Sequence, residues 1–387
     1  MRIVHVCKFF YPVVTGVTAY VHSLSSTLAR RGHEVTVLTW GDADEQTLMN
    51  GFRVVRVDKG NRDGLAAALT ALAGEHGVDV VNTHGIWEHV PVVSEWCRQH
   101  AAPHVVTMHG TWMFLHTTDA YATLKGKVWY GIVYRKFLWP RIMRRAAAAV
   151  VLNAQEQGLA EGWAVPEGKI HRIPNAVDTS LFVPVAQSAA DTGTSPQLWP
   201  HFRAADGALR VMFVGALQRQ KGVFTVLGAA KRLKASGVPV HWAVCGRGPD
   251  EQQLRAEIAA NGLETCVTLA GAVAREHMPQ AYRDADVVVL PSFGEPFGTV
   301  YLEAMASGIP CVGCRSGGTP EIIREGEAGY LIEYDDDQAL ADRIAKLAAD
   351  ADLRRRMGDA GRKRAEEFFA WDAVTTRLEG VYAQVIS

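Results

Sequence analysis

Asp286–Val312 reads DVVVLPSFGEPFGTVYLEAMASGIPCV. The run DVVVL is apolar and β-branched, as a buried strand requires, and PCV at the end begins another. Between them Pro and Gly mark turns, while Thr299–Ala306 (TVYLEAMA) consists of good helix formers. Strand, helix and strand in that order form a parallel β-α-β unit, whose sheet must be covered on both faces.

The same alternation extends in both directions. RIVHVC, a helix from Thr18 to Arg31, HEVTVLTW, FRVVRV, a helix from Leu65 to His76, VDVVNTH and HVVTMHG form one series. LRVMFVG, VPVHWAVCG, CVTLAG, DVVVLPS and PCVGC form a second. The class is therefore α/β, with parallel, doubly wound sheets. A chain of 387 residues exceeds the size of a single core, so two Rossmann-like domains are expected. The boundaries read as 1–185, a polar and proline-containing linker at 186–208, and a second domain at 209–370. Residues 371–387 alternate in helical fashion and are expected to pack back on the first domain.

Hydrophobic residues make up 48% and charged ones 21%, and 40 basic against 41 acidic side chains argue against a dedicated nucleic-acid binder. The opening MRIVHVCKFFYP enters a strand pattern without the features of a signal peptide, and no run approaches the roughly 20 apolar residues of a membrane span. The expected location is the cytoplasm. Six cysteines in so long a chain do not make a disulfide framework. Cys311-Val-Gly-Cys314 has the spacing of half a zinc site but lacks a second Cys/His pair.

Ligands of open α/β sheets bind beyond the carboxyl ends of strands, and this chain places its unusual residues there. They are Thr15-Gly16, His84-Gly85 and His109-Gly110 in the first half, and Gly215 to Gly222, Gly246 to Pro249, Gly271 and the opening stretch in the second. Gly298 ends a strand-to-helix turn, so exposed amides and the helix dipole there suit a phosphate. Glu303 lies five residues on, about 7.5 Å along the axis, with its side chain tilted back, a position suited to two ribose hydroxyls. Glu295, before the turn, faces the other side of the phosphates, where a second polyhydroxyl group fits. Taken singly, Glu295 reads better as a cap of the coming helix and Glu303 as a solvated or paired surface acid; their joint occurrence with the glycines turns the reading toward a ligand. FVGALQRQKG (Phe213–Gly222) brings Lys221 and Arg219 into a glycine-bearing turn, both suitable for a diphosphate. CGRGPDEQQL lacks the third spaced glycine of a dinucleotide fingerprint.

These residues together resemble the family-4 retaining glycosyltransferases of the GT-B fold. The resemblance covers nearly the whole chain in order: Gly16, LARRGHEVTVLT, VVNTHG, VTMHGTW, RIPNAVDTSLF, FVGALQRQKG, CGRGPDEQQL, PSFGEPFGTVYLEAMASGIPCV and SGGTPEII. It implies two domains facing a cleft, with a nucleotide-sugar donor held mainly by the second. By that likeness Gly16 and Gly215 belong to the donor site, Lys221 contacts the diphosphate, Glu303 holds the ribose hydroxyls and Glu295 the sugar hydroxyls. Amides around Phe297, Gly298 and Thr299 hold the sugar and distal phosphate, and Gly246, Arg247 and Val273 border the base. His109 lies beside the transferred sugar. The chain departs from the family at Ala216, where Arg is common, at Thr15, where a second glycine is common, and at Ala176.

The implied reaction moves a hexosyl or N-acetylhexosaminyl unit, from a UDP-sugar by preference, to a hydroxyl acceptor. Lys221, Arg219 and the Gly298 helix start are placed to stabilise the departing diphosphate, so no metal is expected. Tyr334 to Asp337 (YDDD) reads as a helix cap. Retention has a diphosphate oxygen take the acceptor's proton, without a protein nucleophile. The catalytic set is therefore His109, Glu295, Lys221 and Arg219.

His84, His109 and Trp112 are the candidate acceptor contacts, though buried packing explains Trp112 equally well. Residues 124–145 are basic and aromatic, which suits an anionic membrane surface and a lipid-linked or cell-envelope glycan as acceptor. A helical hairpin with core aromatics fits the same stretch. Other functions open at this point are a small-molecule glycosyltransferase, an epimerase or phosphorylase of the same architecture, and a non-catalytic sugar-nucleotide-binding partner subunit.

Overall fold

The computed structural model describes residues 1–61, 63–110, 136–185, 199 and 207–387. The chain forms two compact units, Met1–Asn175 with Trp371–Ser387, and Ala176–Ala370.

In the first unit the strands are β1 (Arg2–Cys7), β2 (Glu34–Gly41), β3 (Glu45–Met49), β4 (Phe52–Asp58), β5 (Val80–His84), β6 (His104–Thr107), β7 (Ala148–Val151) and β8 (Ile170–Arg172). Among the described residues they form one sheet in the order β3-β4-β2-β1-β5-β6-β7-β8. All pairings are parallel except β3 with β4. The sheet's apolar side chains bury into two clusters. One gathers Val4, Val6, Leu38, Val55, Leu65, Leu69 and Trp96; the other gathers Val106, Met108, Trp139, Ile142, Met143 and Val151. Each buried side chain of this size contributes about 1.5–3 kcal/mol.

The second unit's strands are β9 (Leu209–Val214), β10 (Val240–Cys245), β11 (Val267–Gly271), β12 (Val287–Leu290), β13 (Cys311–Cys314) and β14 (Gly329–Ile332), in the order β11-β10-β9-β12-β13-β14 and all parallel. In each sheet the strand order reverses direction once beside the first strand of the series, between β1 and β5 and between β9 and β12. Ligand-binding crevices of open α/β sheets form at such points.

Sequence patterns did not reveal β3, β7, β8 and β14. Ala148 and Ala149 are fully buried in β7, where closeness to β6 favours small residues that read as helical in isolation. The β3 strand is a polar edge, and β8 and β14 are too short to show a period.

The first unit ends at Asn175, not at 185, because Val177 already pairs through its backbone with Phe369 and Ala370 of the second unit. Most of the polar stretch 186–208 lies outside the described residues. The helix Trp371–Ile386 belongs to the first unit, where Arg31 forms ion pairs with Asp372 (3.0 Å) and Glu379 (2.6 Å). Its Tyr382 hydroxyl donates to Asn82 Oδ1 of β5 at 2.7 Å, both groups being buried. Asp336 of the YDDD run caps the helix Asp337–Ala349 by accepting from the Ala339 amide at 2.8 Å. Cys311 and Cys314 are buried three residues apart on one strand, so their side chains leave opposite faces and cannot share an ion.

Candidate active site

In the second unit, three strand-end loops meet where β9 and β12 adjoin. The loop after β9 ends in a short helical turn, Arg219–Lys221, and the helix Val223–Ala235. The loop after β12 crosses to it through the Phe293 amide, which donates to Gln220 O at 2.8 Å. The loop after β10 joins through Leu217, whose amide donates to Arg247 O at 3.0 Å, and through Asp250, whose carboxylate accepts from the Arg219 amide at 2.7 Å. Gly246 makes this contact sterically feasible. Its φ is +150°, and an added Cβ would fall 1.8 Å from Gly215 O.

Two charges predicted for different parts of a ligand meet here: Lys221 Nζ lies 2.7 Å from Glu295 Oε2, in a partly buried pair. Gly298 stands at the start of the helix Thr299–Ala306, and among the described residues no side chain caps it, which leaves amides there for an anion. A Cβ at Gly298 would come 2.6 Å from the Tyr301 ring and 3.2 Å from Glu295 Cγ, so only glycine lets the loop close over that helix start. Beneath it the Tyr301 hydroxyl donates to Leu290 O, tying the helix to β12. Backbone contacts from the next loop hold Glu295, whose carbonyl accepts from the Gly318 amide at 2.8 Å.

Glu303 is half-buried on the same helix and accepts a hydrogen bond from the Tyr282 hydroxyl at 2.8 Å. Burial raises its pKa above the usual carboxylate range, and the Tyr282 bond, with Arg275 nearby, opposes this. The remaining expected residues are spread around this arrangement. Phe297 is buried, with its ring 5.9 Å from that of Phe369, so its amide is the part left for a ligand. Thr299 and Arg247 are exposed, and Val273 lies in the loop after β11 at the sheet's edge. Arg219 is differently placed from Lys221: its guanidinium lies 4.2 Å from the centre of the Phe224 ring.

In the first unit, Gly16, His84 and His109 line a cavity of about 300 Å³ together with Lys8, Thr18 and Trp87. Gly16 opens the helix Gly16–Arg30, and Thr15 caps it by accepting from the Thr18 amide at 3.2 Å. His109 adopts a left-handed backbone conformation, φ +56°, right after β6. The next amide, Gly110 N, donates to Glu156 Oε1 at 2.6 Å, while Glu156 Oε2 accepts from Leu152 N at 2.8 Å. Glu156 was not anticipated as a site residue, although Asn153 and Glu156 have capping-box spacing, because its carboxylate reaches into a loop distant in sequence.

His109 Nε2 lies 2.9 Å from His84 Nδ1, and His84 Nε2 lies 2.8 Å from His5 Nδ1. Burial lowers the pKa of His5 and of His109 to about 3, and lowers that of His84 well below the usual value, with its two neighbours adding to the effect. The Tyr20 ring packs 4.7 Å from His109. His5 and Tyr20 were also missed, since each occupies an ordinary apolar-face position in its own element. Trp112 lies outside the described residues, as does most of 124–145. Of that stretch, Trp139, Ile142 and Met143 are core, whereas Lys136, Phe137, Arg141, Arg144 and Arg145 are exposed. Among the described residues, no helix is long and apolar enough to cross a membrane.

Comparison with known proteins covers both units. Residues 14–181 match the model of Glycosyltransferase Family 4, and residues 200–364 match that of Glycosyl transferases group 1. D-inositol 3-phosphate glycosyltransferase of Corynebacterium jeikeium is 29% identical, over 96% of this chain and 92% of its own. Among solved structures, sucrose-phosphate synthase from Thermosynechococcus elongatus has a TM-score of 0.75 at 21% identity, covering 100% of this chain and 99% of its own. HepE of Anabaena in complex with UDP has a TM-score of 0.74 at 18% identity, covering 99% and 100%.

Proposed function

We propose, since the chain belongs to the family-4 glycosyltransferases of the GT-B fold, that it moves a hexosyl or N-acetylhexosaminyl unit from a UDP-sugar to a hydroxyl acceptor with retention of configuration. The observation that carries this reading is the Lys221–Glu295 pair at 2.7 Å, beside an uncapped helix start and one turn from Glu303. A diphosphate takes over Lys221, which releases Glu295 to accept hydroxyls of the sugar. Glu303, already holding the Tyr282 hydroxyl, receives the ribose diol on its remaining lone pairs. As the anomeric C–O bond breaks, charge grows on the leaving diphosphate, where Lys221 and the amides at Gly298 and Thr299 stabilise it. A diphosphate oxygen takes the acceptor's proton, so neither a protein nucleophile nor a metal enters the scheme. Because Arg219 lies over Phe224 and position 216 is Ala, Lys221 is the principal cation.

UDP is favoured as the nucleotide because HepE, a structural neighbour, is solved with UDP. A lipid-linked or cell-envelope glycan is the proposed acceptor, supported by the exposed cations and Phe137 at 136–145. A small polyol phosphate is the second reading, favoured by the name of the Corynebacterium jeikeium relative. The test is a thermal-shift and donor-hydrolysis series with UDP-, GDP- and ADP-sugars, with and without EDTA. A selective, EDTA-insensitive response to UDP-sugars supports the assignment. Tight binding without turnover over an acceptor panel, even in Ala216→Arg, points instead to a sugar-nucleotide-binding partner subunit.

A further inference from the structure

His5, His84 and His109 form a continuous row from the interior of β1 to the cavity that also contains Gly16. The two N···N separations, 2.8 and 2.9 Å, are hydrogen-bond distances, so each contact holds one proton. Two of the rings, His5 and His84, are fully buried, and all three are uncharged at neutral pH, so each brings one N–H. Three protons are then shared among two contacts and two outer nitrogens. Two contacts take two protons, and the third resides on His5 Nε2 at the inner end or on His109 Nδ1 at the outer end.

The inner end decides between these states. His5 Nε2 is buried and has no hydrogen-bond partner among the described residues. A buried N–H without an acceptor is rarer and more costly than a lone pair without a donor. His109 is the partly exposed member of the row, and its Nδ1 makes no hydrogen bond among the described residues, so a proton there is available to a ligand.

We infer that the buried row holds His109 as its Nδ1–H tautomer, so that it presents a hydrogen-bond donor, and that His84 and His5 are positioning residues for that donor. His5 Nδ1–H donates to His84 Nε2, His84 Nδ1–H donates to His109 Nε2, and both lone pairs facing inward along the row are occupied. His109 therefore has no lone pair to offer at its open nitrogen. It binds an oxygen lone pair, such as a hydroxyl or ring oxygen of the transferred sugar, and does not act as a base. The identity of that ligand rests on the function proposed above; the tautomer does not.

Long-range proton–nitrogen correlation spectra of the full chain labelled with ¹⁵N-histidine read the tautomers directly, with His109→Gln identifying the His109 signals. The expected pattern is a protonated Nδ1 and an unprotonated Nε2 for all three rings at pH 7. A protonated Nε2 at His109, or an even mixture, overturns the inference whether or not the chain transfers sugar. His5→Met removes the first donor of the row and puts a thioether, which can only accept, against His84 Nε2, so that an N–H on that nitrogen gains a partner. The expected result is a loss of the pure Nδ1–H state at His109 and a roughly two- to tenfold fall in kcat/KM with UDP-sugar, with unchanged affinity for UDP, which lacks the sugar. Unchanged tautomers in His5→Met also overturn it. Absence of any transfer or donor hydrolysis in the wild type, with the Nδ1–H pattern intact, removes the proposed function and leaves the proton arrangement standing.

Discussion

Glu303 combines two requirements that conflict. In the role proposed for it, its carboxylate must be ionised to accept both hydroxyls of a ribose, yet its burial favours the protonated form. A group whose pKa is higher in the folded than in the unfolded chain contributes stability below the unfolded value and loses it as pH rises through the folded value. At pH 7 this carboxylate is therefore a cost to the fold, and the proposed ribose contact accounts for its presence. Glu303→Gln is expected to leave the melting temperature at pH 7 unchanged or raised, since the amide oxygen still accepts from Tyr282. The same change weakens binding of UDP roughly 10- to 100-fold by calorimetry, the loss of charge-assisted hydrogen bonds. In the wild type, UDP affinity falls on acidification at a higher pH than an ordinary glutamate would give, and this step is absent in Glu303→Gln. Lys221→Ala removes the principal cation and leaves Glu295 without its partner, so UDP affinity falls while UMP, which has one phosphate fewer, is less affected.

At the scale of elements, three loops of the second unit meet through backbone contacts that side chains would prevent. Gly246→Ala places a methyl against Gly215 O in a left-handed conformation that L residues rarely adopt. A loss of at least about 2 kcal/mol in urea unfolding is expected, with donor binding reduced in parallel because the Gly215 loop is displaced. The elements themselves were largely legible. The β-branched runs became β1, β2, β4, β5 and β6 in one sheet and β9 to β13 in the other, and the Asp286–Val312 unit formed as its periodicity required. The alanine-rich β7 was not legible, because its strand character comes from burial between neighbours and not from propensity.

For the whole molecule, the last helix completes the first unit. Val374, Leu378, Val381 and Tyr382 are buried in it, and Trp371 packs 5.3 Å from Tyr20, which in turn covers His109. At about 1.5–3 kcal/mol each, the four buried side chains approach the full stability of an ordinary domain. A chain ending at residue 370 is expected to aggregate or to lose its cooperative thermal transition by calorimetry. The proposed membrane association has its own test: sedimentation with anionic vesicles is expected to fall when Arg141, Arg144 and Arg145 are changed to Gln, and to weaken with added salt.

The sequence by itself determined the α/β class, the two series of strands and the strand-end positions of Lys221, Glu295, Glu303, His84 and His109. Periodicity, turn chemistry and residue type act over a few neighbours, and all of these features are local. Only the tertiary structure decided that Lys221 pairs with Glu295, that Tyr282 reaches Glu303, that Arg219 lies over Phe224, and that His5 and Glu156 stand behind His84 and His109. Apart from Arg219 over Phe224, these contacts join elements that are separated in the chain. They depend on strand order and on which groups burial leaves without water, and neither is encoded in any short stretch of residues.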